Sequence, residues 1–267
     1  LENVTGILGK KNIQITAGII NEFAKIGYNM SVRVLSSDHF GVAQKRRRSV
    51  FIGNNLGLEN IFPKPTHANE PITIKKVFSD MTFDGIEYNH DIKTAQIRNE
   101  LEKKRIKKIP EGKSIRYEKD EIAHLPLNLR FDVDWDTIGE GRFREKRLNR
   151  LDRNKVSPTI MTSRYTYYHP TQSRYLTARE AASIQSFPND FIFEGTISQQ
   201  WKQIGNAVPP LLGKAIGDAI LETYKKKKKA ELSSYASVEE LIAVVRAHAF
   251  DYKKTESEKN RDITNFF

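Results

Sequence analysis

Apolar residues recur at helical spacing in residues 11–26, close to the i, i+4, i+7 pattern of one helix face. This pattern predicts an amphipathic helix that ends at Gly27, because glycine is favoured just past a helix. Two β-branched segments, 30–37 and 48–55, predict strands. Together with a strand end at the start of the chain, this order is typical of an α/β sheet.

The regular pattern is lost between about residues 56 and 160, where prolines and charged, turn-rich pieces predominate. Regular signals return within 174–191. There, Thr177 and Glu180 form a capping box that predicts the start of a short helix.

Two further segments predict helices near the end of the chain. Residues 197–229 indicate a helix, a Gly-Asn turn and a second helix from about Pro209, since proline is tolerated at a helix start. Residues 237–250 indicate another amphipathic helix, with Ser237 and Glu240 as its capping box.

The net charge of the chain indicates which class of macromolecule it binds. Its 267 residues carry 44 Lys and Arg against 33 Asp and Glu, a net charge of +11. Such a surplus favours a polyanion, usually nucleic acid, because neutralising phosphates releases condensed counterions.

No apolar run is long enough for a transmembrane helix, and no signal peptide is recognisable. We therefore expect no membrane association and a cytoplasmic protein, nucleoid-associated in a prokaryote or nuclear in a eukaryote. Cysteine is absent from the sequence. Disulfides, thiolate zinc sites and a cysteine nucleophile are thereby excluded from this chain.

Four motifs in order change this general picture. The sequence has Glu-Asn-Val at 2–4, Gln-x-Arg-x-Arg at 44–48, a long motif at 157–191 and "QIGNAVPP" at 203–210. Each is weak alone, but in this order they resemble the C-terminal motifs of the DNA cytosine-5 methyltransferases. The resemblance ends near residue 224 and is thin between the second and third motifs.

The resemblance implies a catalytic set of Glu2, Arg46 and Arg48. Cytosine C5 is a poor nucleophile, so a nucleophile must first add at C6, and the base must be flipped out of the stack to be reached. A carboxyl at Glu2 would bond the ring N3 and the 4-amino group. Arg48 would reach the base O2 and a nearby phosphate, and Arg46 would support the loop or neutralise backbone charge.

The same resemblance implies the cofactor S-adenosyl-L-methionine. Its methionine end would be covered by Gly205, Asn206, Ala207 and Val208. Asn206 suits this role because its amide offers both a donor and an acceptor.

Double-stranded DNA is the implied macromolecular partner. The basic and amide side chains expected to contact it are Gln44, Arg142, Arg144, Lys146, Arg147, Arg164 and Arg174. Arg174 also belongs, with Thr177, Arg179 and Glu180, to the motif that organises the family's recognition domain. These four are expected to be structural rather than catalytic.

The predicted fold class is α/β: a partial Rossmann-like, S-adenosylmethionine-dependent methyltransferase sheet plus an irregular, mixed target-recognition domain. The expected divisions are the catalytic domain at 1–55, the recognition domain at 56–195 with its organising motif at 157–191, a return to the catalytic domain at 196–224, and a basic linker, helix and tail at 225–267.

The family places its glycine-rich cofactor loop and its Pro-Cys nucleophile loop before the Glu-Asn-Val motif, and neither is found here. We therefore expect the chain to be inactive alone. An N-terminal half or a second subunit would bear the cysteine, whether the chain is a natural split subunit or a truncated one. The complete enzyme would belong, on this interpretation, to a restriction-modification system.

Two alternatives remain open. The chain could be a non-catalytic DNA-binding or regulatory relative, although the intact Glu2, Arg46, Arg48 and Asn206 argue against decay. It could instead act on tRNA, as one branch of the family does. The long irregular region before residue 157 disfavours that branch.

The end of the chain resembles a sliding-clamp peptide through Ile263, Phe266 and Phe267. Its first position departs from the pattern, since Asn260 stands in place of glutamine. Docking of this aromatic pair onto the chain's own domain is the alternative.

Overall fold

The computed structural model describes residues 1–9, 11–81, 85–138, 148–231 and 237–248. The helices and strands in these ranges are, in chain order, β1 (Glu2–Val4), α1 (Ile13–Lys25), β2 (Asn29–Ser36), β3 (Arg47–Asn54), α2 (Ile74–Ser79), α3 (Ile92–Ala95), α4 (Glu100–Ile106), α5 (Glu118–His124), α6 (Trp135–Ile138), β4 (Asn149–Arg150), β5 (Tyr167–Tyr168), α7 (Ala178–Ile184), α8 (Ile197–Asn206), α9 (Pro210–Lys226) and α10 (Val238–His248).

The chain forms two compact units. Unit 1 comprises Leu1–Gly41, Arg46–Glu70 and the described residues of Leu211–Phe267. Unit 2 comprises Val42–Lys45 and the described residues of Pro71–Pro210. The assignment of target recognition to 56–195 stays a prediction.

Unit 1 is built on a three-stranded sheet of order β1-β3-β2, in which β3 runs antiparallel to both neighbours. Alternate side chains point to opposite faces of a strand. Val32 and Phe51 therefore join one apolar cluster, which also includes residues of α1 and α10, whereas Leu35 and Val50 join another with α9. Both faces of this antiparallel sheet are therefore covered by apolar side chains.

Unit 2 is the irregular, mixed part of the chain. It contains short helices, α2 to α8, and the two-residue parallel pair β4-β5. Its largest apolar cluster packs α7 and α8 around Ile184, Trp201 and Ile204. A second cluster surrounds α4, with Ile106 and Tyr168 buried in it.

Several predicted elements are confirmed. The helix expected at 11–26 and the strands expected at 30–37 and 48–55 are α1, β2 and β3, with bounds shifted by one or two residues. The predicted capping box of α7 is present. The amide of Glu180 donates to Thr177 Oγ1 at 3.1 Å, and the amide of Thr177 donates to Glu180 Oε2 at 2.8 Å.

One local prediction is wrong. Gly205 and Asn206 are the last residues of α8 rather than a separate turn. The helix continues because the Ala207 amide still donates to the carbonyl of Gln203, at 3.1 Å. It ends there since Ala207 is extended and Pro209, two residues on, has no amide hydrogen to donate.

Unit 2 contains a buried ion pair. Arg174 Nη1 and Nη2 donate to the two carboxylate oxygens of Glu180 at 2.7 and 2.6 Å, and both side chains are buried. Arg174 also donates to the Tyr175 carbonyl and to Gln172 Oε1, at 2.9 and 2.6 Å. Burial opposes ionisation of Glu180, but the hydrogen bonds and charge of Arg174 hold its pKa below the usual value.

Replacing Glu180 by Gln is expected to destabilise unit 2 by about 3 kcal/mol, because the buried Arg174 charge loses its counter-charge. The matched control is Asp218→Asn in the exposed Lys214–Asp218 pair, which is also an acid-to-amide change. That change is expected to cost less than about 0.5 kcal/mol. Urea unfolding followed by circular dichroism measures both. Equal unfolding midpoints for the two variants would contradict the conclusion that the Arg174–Glu180 pair stabilises unit 2.

Candidate functional site

The predicted catalytic acid and arginine are brought together in unit 1 by the pairing of β1 with β3. The register sets Val4 opposite Arg48 and Glu2 opposite Val50. Arg48 Nε lies 2.5 Å from Glu2 Oε1, and the two side chains are 14% and 31% exposed. A charge-assisted contact of this kind holds both groups in position while leaving part of the carboxylate accessible.

Arg46 adds a second positive charge near this pair. Its backbone is fixed to Ser37, whose amide donates to the Arg46 carbonyl at 3.1 Å and whose Oγ accepts from the Arg46 amide at 3.1 Å. Burial lowers the pKa of Arg46, to about 10, with the Arg48 charge acting in the same direction and Glu2 opposing it. The guanidinium therefore stays charged at neutral pH.

Gln44, the first residue of the same motif, lies in unit 2 and is fully buried. Its Oε1 accepts a hydrogen bond from the Ile160 amide at 2.6 Å. The neighbouring Lys45 amide donates to the Ser157 carbonyl at 2.8 Å, and Thr159 Oγ1 donates to the Lys45 carbonyl at 3.0 Å. Gln44 thus joins two motif segments within unit 2, and its contact with DNA stays a prediction.

Gly205 holds the C-terminal end of α8 against residues 161 and 162. A Cβ atom at Gly205 would lie 2.6 Å from the carbonyl carbon of Met161 and 2.6 Å from the amide nitrogen of Thr162. Only glycine leaves room for such a close backbone approach. Gln185 holds the same helix end, since its side-chain amide donates to the Ile204 carbonyl.

The other predicted cofactor residues are 206–208, which come next in the chain after Gly205. Asn206 and Val208 are exposed and Ala207 is half-buried, so an amide and an apolar side chain are both accessible to a ligand. This donor set fits the polar methionine end of S-adenosylmethionine, with Asn206 supplying a donor and an acceptor. Gly205 contributes the backbone position rather than a contact surface.

The predicted DNA-contacting arginines of unit 2 differ in exposure. Arg164 is half-buried; its Nη1 donates to the Thr94 carbonyl at 2.9 Å, and its guanidinium lies over the Tyr165 ring at 4.6 Å. Arg174 is buried in its pair with Glu180, which agrees with its expected structural role. Its DNA contact is again only a prediction.

Seven predicted residues lie outside the described part of the chain. They are Arg142, Arg144, Lys146 and Arg147 of the basic strip and Ile263, Phe266 and Phe267 of the clamp-like peptide.

His169 lies beside the buried Arg174–Glu180 pair, a position that no feature of the sequence predicted. The amides of Thr171 and Gln172 donate to its Nδ1 at 3.2 and 3.0 Å. The hydrogen of the neutral ring is therefore on Nε2, which lies 3.6 Å from Glu180 Oε1. Burial lowers the pKa of His169 to about 4, although the Glu180 charge opposes this. No spacing in the sequence distinguishes this histidine from an exposed one.

Within the described residues, no helix is long and apolar enough to cross a membrane. In the same part of the chain, no three His, Asp or Glu side chains are placed to hold a metal ion.

An α/β sheet carrying an acid–arginine pair, together with a mixed unit ordered by the motif at 157–191, agrees with the class of methyltransferases. The chain matches the family model for C-5 cytosine-specific DNA methylase over residues 1–222, and it belongs to that family.

Curated relatives support this assignment. The chain is 32% identical over 222 residues to the Type II methyltransferase M1.HphI of Haemophilus parahaemolyticus, covering 83% of this chain and 56% of the relative. It is 31% identical over 229 residues to M.PspPI of a Psychrobacter species, covering 82% and 52%. The chain thus spans about half the length of these relatives.

Solved structures share the fold. An E. coli prophage protein described as a candidate DNA modification methyltransferase aligns with a TM-score of 0.56 at 20% identity, covering 84% of this chain and 68% of that one. The Entamoeba histolytica methyltransferase EhMeth aligns at 0.50 and 14%, covering 83% and 61%. The predicted α/β methyltransferase fold is therefore confirmed.

Gly205→Ala is expected to destabilise unit 2 by about 1–3 kcal/mol, because the methyl group would overlap the Met161–Thr162 peptide. The matched control is Gly213→Ala in α9, where a Cβ atom would meet nothing within 4 Å. That change should be neutral or stabilising, since alanine is the better helix former. Thermal or urea unfolding compares them, and a neutral Gly205→Ala variant would contradict the close contact.

Proposed function

We propose that this chain supplies the base-holding and DNA-reading part of a DNA cytosine-5 methyltransferase in a restriction-modification system. The family match and the Type II relatives support this assignment. The observation that carries it is the Glu2–Arg48 pair, which joins two residues that lie far apart in the sequence at one position of the sheet.

The chemistry of this pair suits a flipped cytosine. The carboxyl of Glu2 would hydrogen-bond the ring N3 and the 4-amino group, which selects cytosine and stabilises the ring as a nucleophile adds at C6. Arg48 Nε is engaged with Glu2, and its Nη1 donates to the Arg47 carbonyl at 2.8 Å. These contacts would orient the guanidinium toward the base O2. Arg46 would keep the pocket electrostatically positive.

S-adenosyl-L-methionine would supply the electrophilic methyl group. Asn206 would bind its polar end through the side-chain amide, and Val208 would contact its apolar part. Gly205 would hold both residues in place through its contact with the 161–162 peptide.

A thiol nucleophile is absent from all 267 residues. No other side chain matches a cysteine thiolate in nucleophilicity at neutral pH. We infer that the cysteine comes from a second polypeptide or from a further segment of the same protein, and that double-stranded DNA binds to the assembled enzyme.

The test is methyl transfer from labelled S-adenosylmethionine to duplex DNA, with the chain co-expressed with a polypeptide that carries the family's Pro-Cys loop. Glu2→Gln is expected to lower the rate by about 100-fold or more, because proton sharing with the base is lost. The matched control is Glu22→Gln, which removes an exposed carboxylate of α1.

Glu22→Gln should leave the rate unchanged. The proposal is contradicted if Glu2→Gln retains the full rate, or if the chain without the cysteine-bearing polypeptide transfers methyl groups to DNA.

A further inference from the structure

Unit 2 contains a cavity of about 430 Å³ that none of the roles above explains. Its volume lies in the range of small-ligand sites. Its lining includes aromatic, cationic and acidic side chains, among them Glu102, Arg105, Phe131, Tyr165, Tyr168 and Tyr175. We call it the tyrosine cavity.

One side of the tyrosine cavity is an ordered set of rings. Tyr168 and Tyr175 stack with centroids 5.3 Å apart, and Tyr165 meets Tyr175 edge-on at 5.2 Å. Tyr168 and Tyr175 are buried, whereas Tyr165 is 44% exposed. An exposed ring supported by buried ones is a ready platform for a planar ligand, since aromatic rings stack on the faces of bases.

The two buried hydroxyls converge on one carboxylate. Glu102 Oε1 accepts from the Tyr168 hydroxyl at 2.7 Å and also from the Tyr175 hydroxyl. This double contact fixes the rings and places a negative group in the lining. A carboxylate repels a bare phosphate but accepts hydrogen bonds from the amino groups of guanine, cytosine and adenine.

Two guanidinium groups flank the rings. Arg105 lies 3.6 Å from the centre of the Phe131 ring, with its Nε donating to the Leu129 carbonyl at 2.7 Å. Arg164 lies over Tyr165 and is held by the Thr94 carbonyl. Guanidinium planes stack on bases and compensate the phosphates that accompany them. The backbone contacts set both planes without any ligand.

We propose that the tyrosine cavity binds one unpaired nucleobase of DNA, stacked on Tyr165 with its amino group directed to Glu102. The proposal rests on the proposed function in so far as DNA is the ligand. The proposed base is a second one, in addition to the cytosine assigned to Glu2 in unit 1; all residues that line the tyrosine cavity belong to unit 2.

The test uses a duplex in which 2-aminopurine stands unpaired opposite an abasic site, and the same duplex with 2-aminopurine paired. Stacking on tyrosine is expected to quench the fluorescence of the unpaired base when the full chain is added. Anisotropy of an end label measures DNA affinity in the same samples. The unpaired duplex should bind about 5- to 100-fold more tightly than the paired one.

Tyr165→Ala should remove most of this preference, and Tyr165→Phe should keep it because the ring remains. Glu102→Gln should weaken the preference for 2-aminopurine over an unpaired thymine, which has no amino group. Tyr224→Ala, an exposed tyrosine of α9 in unit 1, is the matched control and should change nothing.

The outcomes separate the two proposals. DNA binding without quenching, or with equal affinity for both duplexes, overturns the base site and leaves the methyltransferase proposal intact. Quenching that survives in Tyr165→Ala also overturns it. A complete lack of DNA binding by the full chain overturns the base site, whereas the methyltransferase proposal is decided by methyl transfer in the presence of the cysteine-bearing polypeptide.

Discussion

The ion pair of Arg174 and Glu180 is almost fully enclosed, and the neighbouring residues Gln172, Tyr175 and Thr177 supply its remaining hydrogen bonds. A buried charge without a partner costs several kcal/mol, so the surrounding chain must supply donors and acceptors in fixed places. The Glu180 carboxylate also accepts from the Thr177 amide, which starts α7. Arg174 also donates to the Tyr175 carbonyl. This ion pair thus helps to fix both the start of α7 and the backbone at Tyr175.

The consequences reach the sites proposed for unit 2. Because Arg174 fixes the backbone at Tyr175, it also helps to place the ring that stacks on Tyr168 and meets Tyr165. At the other end of α7, Gln185 holds the last turn of α8. There Gly205 rests on the 161–162 peptide. The described polar residues Arg174, Thr177 and Glu180 of the motif at 157–191 are therefore buried, and they are held by one ion pair and by hydrogen bonds to backbone.

The sequence predicted the elements whose signal is local. Periodicity sufficed for α1, β2 and β3, and a reciprocal cap sufficed for the start of α7. The placement of Glu2 and Arg48 in one site was predicted only because the order of the motifs resembles that of the methyltransferase family. Contacts between residues far apart in the sequence were not predicted, because no pattern along the chain encodes them. Glu102, for example, accepts hydrogen bonds from tyrosines 66 and 73 residues away. The burial of Gln44 likewise depends on a distant partner, Ile160. The tautomer of His169 depends instead on a local turn that brings the Thr171 and Gln172 amides to its Nδ1.

The proposed function requires this chain to read duplex DNA. Its net charge of +11 predicts an affinity that falls steeply with salt, with a slope of about −0.9 per phosphate contacted. The most direct measurement is the dissociation constant of the purified chain for duplex DNA and for tRNA across a salt series. The proposed function predicts tighter binding to the duplex at every salt concentration, with a slope that corresponds to several phosphate contacts. Tighter binding to tRNA, or an affinity for duplex DNA that does not respond to salt, would contradict it.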